Sequence, residues 1–324
     1  MLTPRIIFKN FNRKFRLKIN LKKKLNFLIR ENNDVLKSLG INYKNNFNKK
    51  KLSKYKKFSN IRVIGMGGSI LGTQAIYDFL KFKIKKNFLF VNNLQSKYKI
   101  EKKKKFLNLI VSKSGDTTET IVNSNLLIKK KDKNLFITEN KRSYLYILAN
   151  KLKAEVIHHN NFIGGRYSVL SEVGMLPAEL MGLKSNYFKQ FNNLIKDKKF
   201  LNSLISNVGS ILYFVNKKKF NSILINYDNE SKNLLNWYQQ LVAESLGKNK
   251  KGLLPIVSNM PKDNHSVMQL YLDGFQNNFF TFFFTHDRKS LKINSDLLLP
   301  NKKYLNNKNI NKIMFAQKKG TENV

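Results

Sequence analysis

The sequence predicts an α/β protein built from two doubly wound parallel-sheet units in a three-layer α/β/α arrangement. Three observations carry that prediction. From about Ile61 onward, short apolar runs alternate with longer segments of helical spacing, the pattern of strands joined by crossover helices. The apolar runs are nearly continuous, as in strands covered on both faces. A chain of 324 residues also has room for two domains of ordinary size.

In the first unit, strands are expected at residues 61–64, 88–91, 107–111, 135–137 and 154–157, with crossover helices at 71–80, 118–129 and 144–150. A helix at 171–181 leads away, and 188–196 and 201–215 continue in helical spacing. The second unit opens with a strand at 222–225, followed by a helix at 234–246, a strand at 254–257, a helix at 267–272 and a strand at 279–284. That last stretch, mostly phenylalanine, reads as a buried strand, because a membrane-spanning helix needs ~20 apolar residues. Residues 1–50 are assigned to a basic helical extension packing on the first domain, with domains at 51–184 and 185–324. The lysine-rich stretches 49–57 and 99–105 are expected to be solvated loops or exposed helix faces.

Charge sets the next boundary. With 61 basic and 20 acidic side chains the formal net charge is +41, which taken alone suggests a polyanion partner. The lysines run through the whole chain, however, alongside abundant Asn, Ile, Phe, Leu and Tyr, so compositional bias accounts for them and no nucleic-acid partner is expected. The basic field would still draw in a small anionic substrate. Having no cysteine, the chain can form no disulfide, thiolate–metal site or cysteine nucleophile. Residues 1–30 lack the apolar run and cleavage site of a secretory signal, so a cytoplasmic location is expected.

Five motifs carry chemistry. Gly65-Met66-Gly67-Gly68-Ser69-Ile70-Leu71-Gly72 joins a strand to a helix, where glycines let backbone N–H groups approach an anion. It is not the dinucleotide fingerprint, because Ile70 stands where the third glycine should be, and a tight turn without ligand is an equal reading. The run from Ser112 to Thr120 crowds Ser112, Ser114, Thr117 and Thr120 at another helix mouth, with Lys113 in the same loop. A helix cap needs one hydroxyl and four are present, which favours a phosphate monoester site; the missing G-K-[ST] argues against ATP. In Gly164-Gly165-Arg166-Tyr167-Ser168, two glycines present an arginine to an enediolate or phosphate, or to a structural carboxylate. Gln240 and Glu244 share a helix face at i,i+4. Glu244 lies in a largely apolar stretch suited to a raised pKa and general-base work, although a surface pair with Lys248 is the preferred reading from spacing alone. In the fifth motif, Asp263 or Asn264 is expected to cap a helix, and His265, at that helix N-terminus beside polar residues, is the best acid/base candidate among the histidines. His158, His159 and His286 show no metal spacing and read as structural or exposed, so no metal is expected.

Taken in order, GMGGSILG, SKSGDTTET, GGRYSVLSEVG, QLVAESLGK and NHSVMQ resemble the phosphoglucose isomerase family, over about residues 61–274. The resemblance implies two sugar-isomerase domains, aldose–ketose isomerisation of a sugar 6-phosphate, and no metal or organic cofactor. It implies phosphate binding by Ser112, Lys113, Ser114, Thr117 and Thr120, with Gly68 and Ser69 lining the same pocket. Glu244 would be the base between C1 and C2, Arg166 the cation for the enediolate, and Gln240 a sugar contact. His265 would assist ring opening from the neighbouring subunit of a homodimer. Ser114-Gly115-Asp116 departs from a Thr-Phe-Thr often found there. The family also has a terminal Q-x-G-V-E-x-x-K motif whose lysine enters the active site; the sequence stops at Val324 without it, so a C-terminally truncated chain and an incomplete second domain are expected. Two other readings accompany this one: a dual phosphoglucose/phosphomannose isomerase, and a non-catalytic sugar-phosphate sensor, which would be expected to lose the base.

Overall fold

The computed structural model describes residues 5–10, 19–98, 105–287, 289–294 and 296–324. Most of the lysine-rich stretch 99–105 therefore lies outside the described residues. Among the described residues three helices, α1 (Leu21–Arg30), α2 (Asp34–Leu39) and α3 (Ser53–Lys56), precede the first strand. Then β1 (Asn60–Gly65), α4 (Leu71–Phe79), β2 (Asn87–Val91), β3 (Phe106–Val111), α5 (Thr118–Leu127), β4 (Lys133–Thr138), α6 (Tyr144–Lys151) and β5 (Glu155–His158) form a parallel sheet in the order β2-β1-β3-β4-β5. Every strand expected in this unit is present.

The pleat sorts the side chains of each strand to opposite faces. Ile61, Val63, Leu107, Leu109, Leu135 and Ile137 build one core, while Ile64, Ile110 and Phe136 build the other. Each fully buried aliphatic side chain contributes roughly 1.5–3 kcal/mol, which is why nearly continuous apolar runs settle as central strands. A polar ladder interrupts this pattern. Arg62, Asn108 and Asn134 lie opposite one another on β1, β3 and β4. Arg62 Nη1 donates to Asn108 Oδ1 (3.0 Å), and Asn108 Nδ2 donates to Asn134 Oδ1 (2.8 Å).

Beyond α7 (Glu172–Leu180), α8 (Phe191–Leu194) and α9 (Lys198–Asn216), the chain builds a three-stranded parallel sheet, β7-β6-β8, from β6 (Asn221–Asn226), β7 (Leu254–Asn259) and β8 (Asn278–Phe283). Phe214 of α9 stacks on Phe279 at 5.2 Å. From α12 (Ile310–Asn323), Phe315 meets Phe284 at 5.2 Å and Thr321 Oγ1 hydrogen-bonds the Tyr227 hydroxyl (2.7 Å). The long helix α10 (Lys232–Leu246) lies between the two sheets: it packs along α4, Trp237 joins the first core, and Gln239 Nε2 donates to Pro255 O of β7 (2.8 Å). A short helix, α11 (Met268–Asp273), connects β7 to β8. No helix among the described residues is long and apolar enough to cross a membrane.

Three expectations need correction. Helical spacing at 188–196 yields only the single turn α8, since Asp197 starts α9 by accepting from the amides of Lys199 and Phe200. The phenylalanine-rich β8 is an edge strand, so Phe279 is buried but Phe280 is 41% exposed. In the N-terminal extension, α2 is tied to the first unit through Asp34 and Asn160 Nδ2 (2.9 Å), but α1 lies against α9, its stripe of Leu21, Leu25 and Ile29 only partly buried. Of the remaining histidines, His158 is exposed, His159 is buried beside Glu172 and His286 packs against Phe284 and Phe315.

A buried lysine makes this junction sensitive to pH. Lys189 Nζ donates to Tyr43 O and Asn45 Oδ1 (both 3.2 Å), and burial brings its pKa from 10.5 down to about 8, against the opposing charge of Glu172. Between about pH 8 and pH 10 the unfolded chain therefore binds more protons than the folded one, and stability rises with pH by at most ~1.4 kcal/mol per unit. Above pH 10 Tyr43, its pKa raised to about 12 by burial and by the Glu172 charge, reverses the slope. Urea unfolding at pH 8, 9 and 10 is expected to show a rise in the wild type that is smaller in Lys189→Met, since partly buried Lys86 adds to it; equal slopes would exclude Lys189 as a source.

Candidate active site

In the order β2-β1-β3 the winding direction changes between β1 and β3, and in open parallel sheets the crevice at the carboxyl ends of such strands is where ligands bind. The register places Gly65 opposite Val111, so the glycine loop after β1 and the hydroxyl loop after β3 leave the sheet side by side.

The hydroxyl loop is pre-folded. Thr117 occupies the N-cap position of α5 but makes no side-chain cap. Its Oγ1 instead meets Ser112 Oγ (2.9 Å) and Ser114 Oγ (3.5 Å). Ser112 Oγ also accepts from Gly115 N (3.2 Å), and Ser114 Oγ accepts from Asp116 N (3.2 Å). A helix mouth left uncapped by its own hydroxyls suits an anion, which the exposed amides and the dipole both favour. Thr120 Oγ1 is buried without a partner. Gly115 has φ +73°, and a Cβ there would fall 2.1 Å from Ser143 Oγ, so the loop packs here as only glycine allows. Lys113 is turned elsewhere, its Nζ donating to Asn161 O (2.8 Å) and lying 3.4 Å from Glu139.

Gly67 and Gly68 lie in a 3₁₀ turn with Ser69, which is buried. A Cβ on Gly67 would lie 2.9 Å from Gln240 Nε2, and one on Gly68 would lie 2.4 Å from Arg166 N. These two close approaches draw the arginine loop and α10 onto the glycine turn. Ser168 Oγ reinforces the junction by donating to Gly165 O (2.7 Å) and Gly68 O (3.4 Å).

Glu244, Gln240 and Arg166 meet here. Arg166 Nη1 donates to Glu244 Oε2 (3.2 Å), and Gln240 Nε2 donates to Glu244 Oε1 (2.7 Å). Glu244 is thus paired with Arg166, not Lys248, and at 48% exposed it lacks the apolar burial expected of it, because its stretch of α10 turns toward open solvent. Exposed ion pairs are worth only ~0–1 kcal/mol, so a ligand can part this one at small cost. Gln240 Oε1 is buried with no partner, an acceptor well placed for a sugar hydroxyl. Hydrogen bonding with Tyr167, then with Glu244, holds the Arg166 guanidinium more firmly charged than usual. Partial burial would raise the Tyr167 phenol, but Ser245 and Arg166 bring it below its ordinary value. Sequence reasoning missed Ser245, which touches both Arg166 and Tyr167, and Trp237, whose Nε1 donates to Arg166 O (3.2 Å).

His265 does not join this group within the chain. A 3₁₀ turn, Lys262–Asn264, intervenes, and α11 starts only at Met268. Asp263 accepts from Asn259 N (2.7 Å) and Ser266 Oγ (3.2 Å), so it closes the turn and does not cap the helix. His265 follows that turn, exposed to solvent.

The family model of phosphoglucose isomerase matches residues 33–258. The chain belongs to the phosphoglucose isomerase family. The glucose-6-phosphate isomerase of Methanocaldococcus jannaschii is 35% identical to it over 253 residues, covering 71% of this chain and 62% of that protein. This family member thus spans less than two thirds of the length of that curated relative. Among solved structures, a hypothetical protein from Thermus thermophilus superposes with a TM-score of 0.76 at 20% identity, over 93% of this chain and 78% of the other. A glucose-6-phosphate isomerase from Chlamydia trachomatis gives 0.63 at 22%, over 84% and 58%. These two likenesses show that the family's α/β sugar-isomerase fold is present here.

Proposed function

We propose that this chain is the catalytic portion of a glucose-6-phosphate isomerase, interconverting glucose 6-phosphate and fructose 6-phosphate. One observation carries the reading: a solvent-accessible carboxylate, Glu244, held between the Arg166 guanidinium and the Gln240 amide against the glycine turn, which leaves the sheet next to the hydroxyl loop. Glu244 takes the proton from C2 of the aldose and returns it to C1, passing through a cis-enediolate. Arg166 stabilises the negative charge that develops on the enediolate oxygen. Ser112, Ser114, Thr117 and Thr120, with Ser69, Gly68 and the α5 amides, hold the phosphate, whose binding energy positions the reacting carbons. Lys113 would add its charge after leaving Glu139. In a homodimer, His265 of a second copy would reach the site to protonate the ring oxygen during ring opening, consistent with its exposed position. The cytoplasm is the proposed location, and the domain boundary is placed between residues 184 and 185.

The test is conversion of fructose 6-phosphate to glucose 6-phosphate by the full chain, with EDTA present. Ser112→Ala and Thr117→Val are each expected to raise KM about 10- to 100-fold with kcat little changed, as the loss of one charge-assisted hydrogen bond requires. Sugar-phosphate binding without turnover would replace the enzyme reading with a sensor.

A further inference from the structure

We propose that Ser245 is a positioning residue that orients Arg166 for enediolate stabilisation, acting with the Tyr167 hydroxyl; this rests on the isomerase reading above. Arg166 Nε donates to Ser245 Oγ at 3.0 Å. The same oxygen lies 2.6 Å from the Tyr167 hydroxyl, and the Tyr167 ring lies under the guanidinium at 4.6 Å. Trp237 fixes the backbone carbonyl of Arg166 (3.2 Å). Arg166 is therefore held at its main chain, at its ring-stacked face and at Nε, while Nη1 meets Glu244.

A long arginine side chain gives up much rotamer freedom when it is fixed in one orientation. A cation that must meet charge appearing only in the transition state works best when that cost is met before substrate arrives. The Nε hydrogen bond to Ser245 and the stacking on Tyr167 fix the plane of the guanidinium even when a ligand parts Nη1 from Glu244. Because Glu244 and Ser245 are consecutive on α10, the base and the hydroxyl that aims the cation move as one rigid piece. The serine contact spans 79 positions of sequence and joins the arginine loop to that helix, so it is not a local helical interaction.

Ser245→Ala is expected to lower kcat about 10- to 100-fold, the scale of a small misplacement of a catalytic group, with KM within about twofold. Ser245→Thr, which keeps the hydroxyl, should restore most of the rate. In an Arg166→Lys background, whose side chain has no Nε–H fork, Ser245→Ala should cost little more, because the residue acts through Arg166. Full kcat in Ser245→Ala, or the same loss in both backgrounds, would overturn the proposal. A second readout does not need turnover. In ¹⁵N-arginine-labelled protein the Arg166 Nε–H resonance, identified by its loss in Arg166→Lys, should exchange slowly with water and become fast in Ser245→Ala; unchanged exchange would also overturn it. An inactive wild type with a serine-dependent Nε–H would remove the isomerase reading and keep the orienting contact, so the two failures are distinguishable.

Discussion

Glu244→Gln is expected to lower kcat for fructose 6-phosphate by about 10³-fold while leaving KM and fold almost unchanged. General acid–base catalysis contributes typically about 10²–10⁴-fold, and here one carboxylate must both remove and return the proton. The substitution is isosteric, but glutamine offers one oxygen where the carboxylate offers two, so only one of the Gln240 and Arg166 donors keeps an acceptor. What is lost is basicity and one exposed contact. The ion pair it removes is half exposed, and such pairs add ~0–1 kcal/mol to stability, so thermal unfolding should shift by no more than a few degrees. Steady-state kinetics beside a melting curve separates these effects. A kcat within threefold of the wild type, in a folded variant, would show that the proton moves through another group.

The strands of the first sheet are legible in the sequence because burial on both faces leaves a local signature, an apolar run bounded by turn residues. The i,i+4 pairing of Gln240 with Glu244 is legible for a similar reason, since helical spacing alone puts them on one face. The glycine and hydroxyl loops can be placed at strand ends from the same pattern. What escapes is nonlocal. Spacing points Glu244 to Lys248 one turn away, but the arginine loop, 78 positions earlier, reaches it first. Ser245 carries no periodic signal at all; its role comes from meeting Arg166 and Tyr167 across the fold. The Arg62–Asn108–Asn134 ladder escapes a local reading because each strand contributes one residue to it, and only strand register brings the three together. Around His265 the local rule itself misleads: Asp263 looks like a helix cap but spends its carboxylate on the Asn259 amide.

Gly68→Ala is expected to be the most damaging single-methyl change in the site, and Gly164→Ala the control that makes it informative. A Cβ on Gly68 would lie 2.2 Å from Gly165 C and 2.4 Å from both Gly165 O and Arg166 N, all backbone atoms that cannot rotate away. A Cβ on Gly164 would meet only Tyr167 Cδ2, at an ordinary 3.6 Å. Both substitutions restrict the unfolded chain alike, a stabilising effect of ~0.4–1 kcal/mol, so any difference between them reports the contact. Relief at Gly68 requires the glycine turn and the arginine loop to move apart, which costs about 1–3 kcal/mol by the standard of overpacked cores. The same movement carries Arg166 away from Glu244, and misplacement by about 1 Å costs about 100-fold in rate. Melting temperature should therefore fall by several degrees and kcat by about two orders of magnitude in Gly68→Ala, with Gly164→Ala close to the wild type in both. If the two variants behave alike, the close approach of these loops is not what holds the cation against the base, and the positioning of Arg166 must rest on α10 alone.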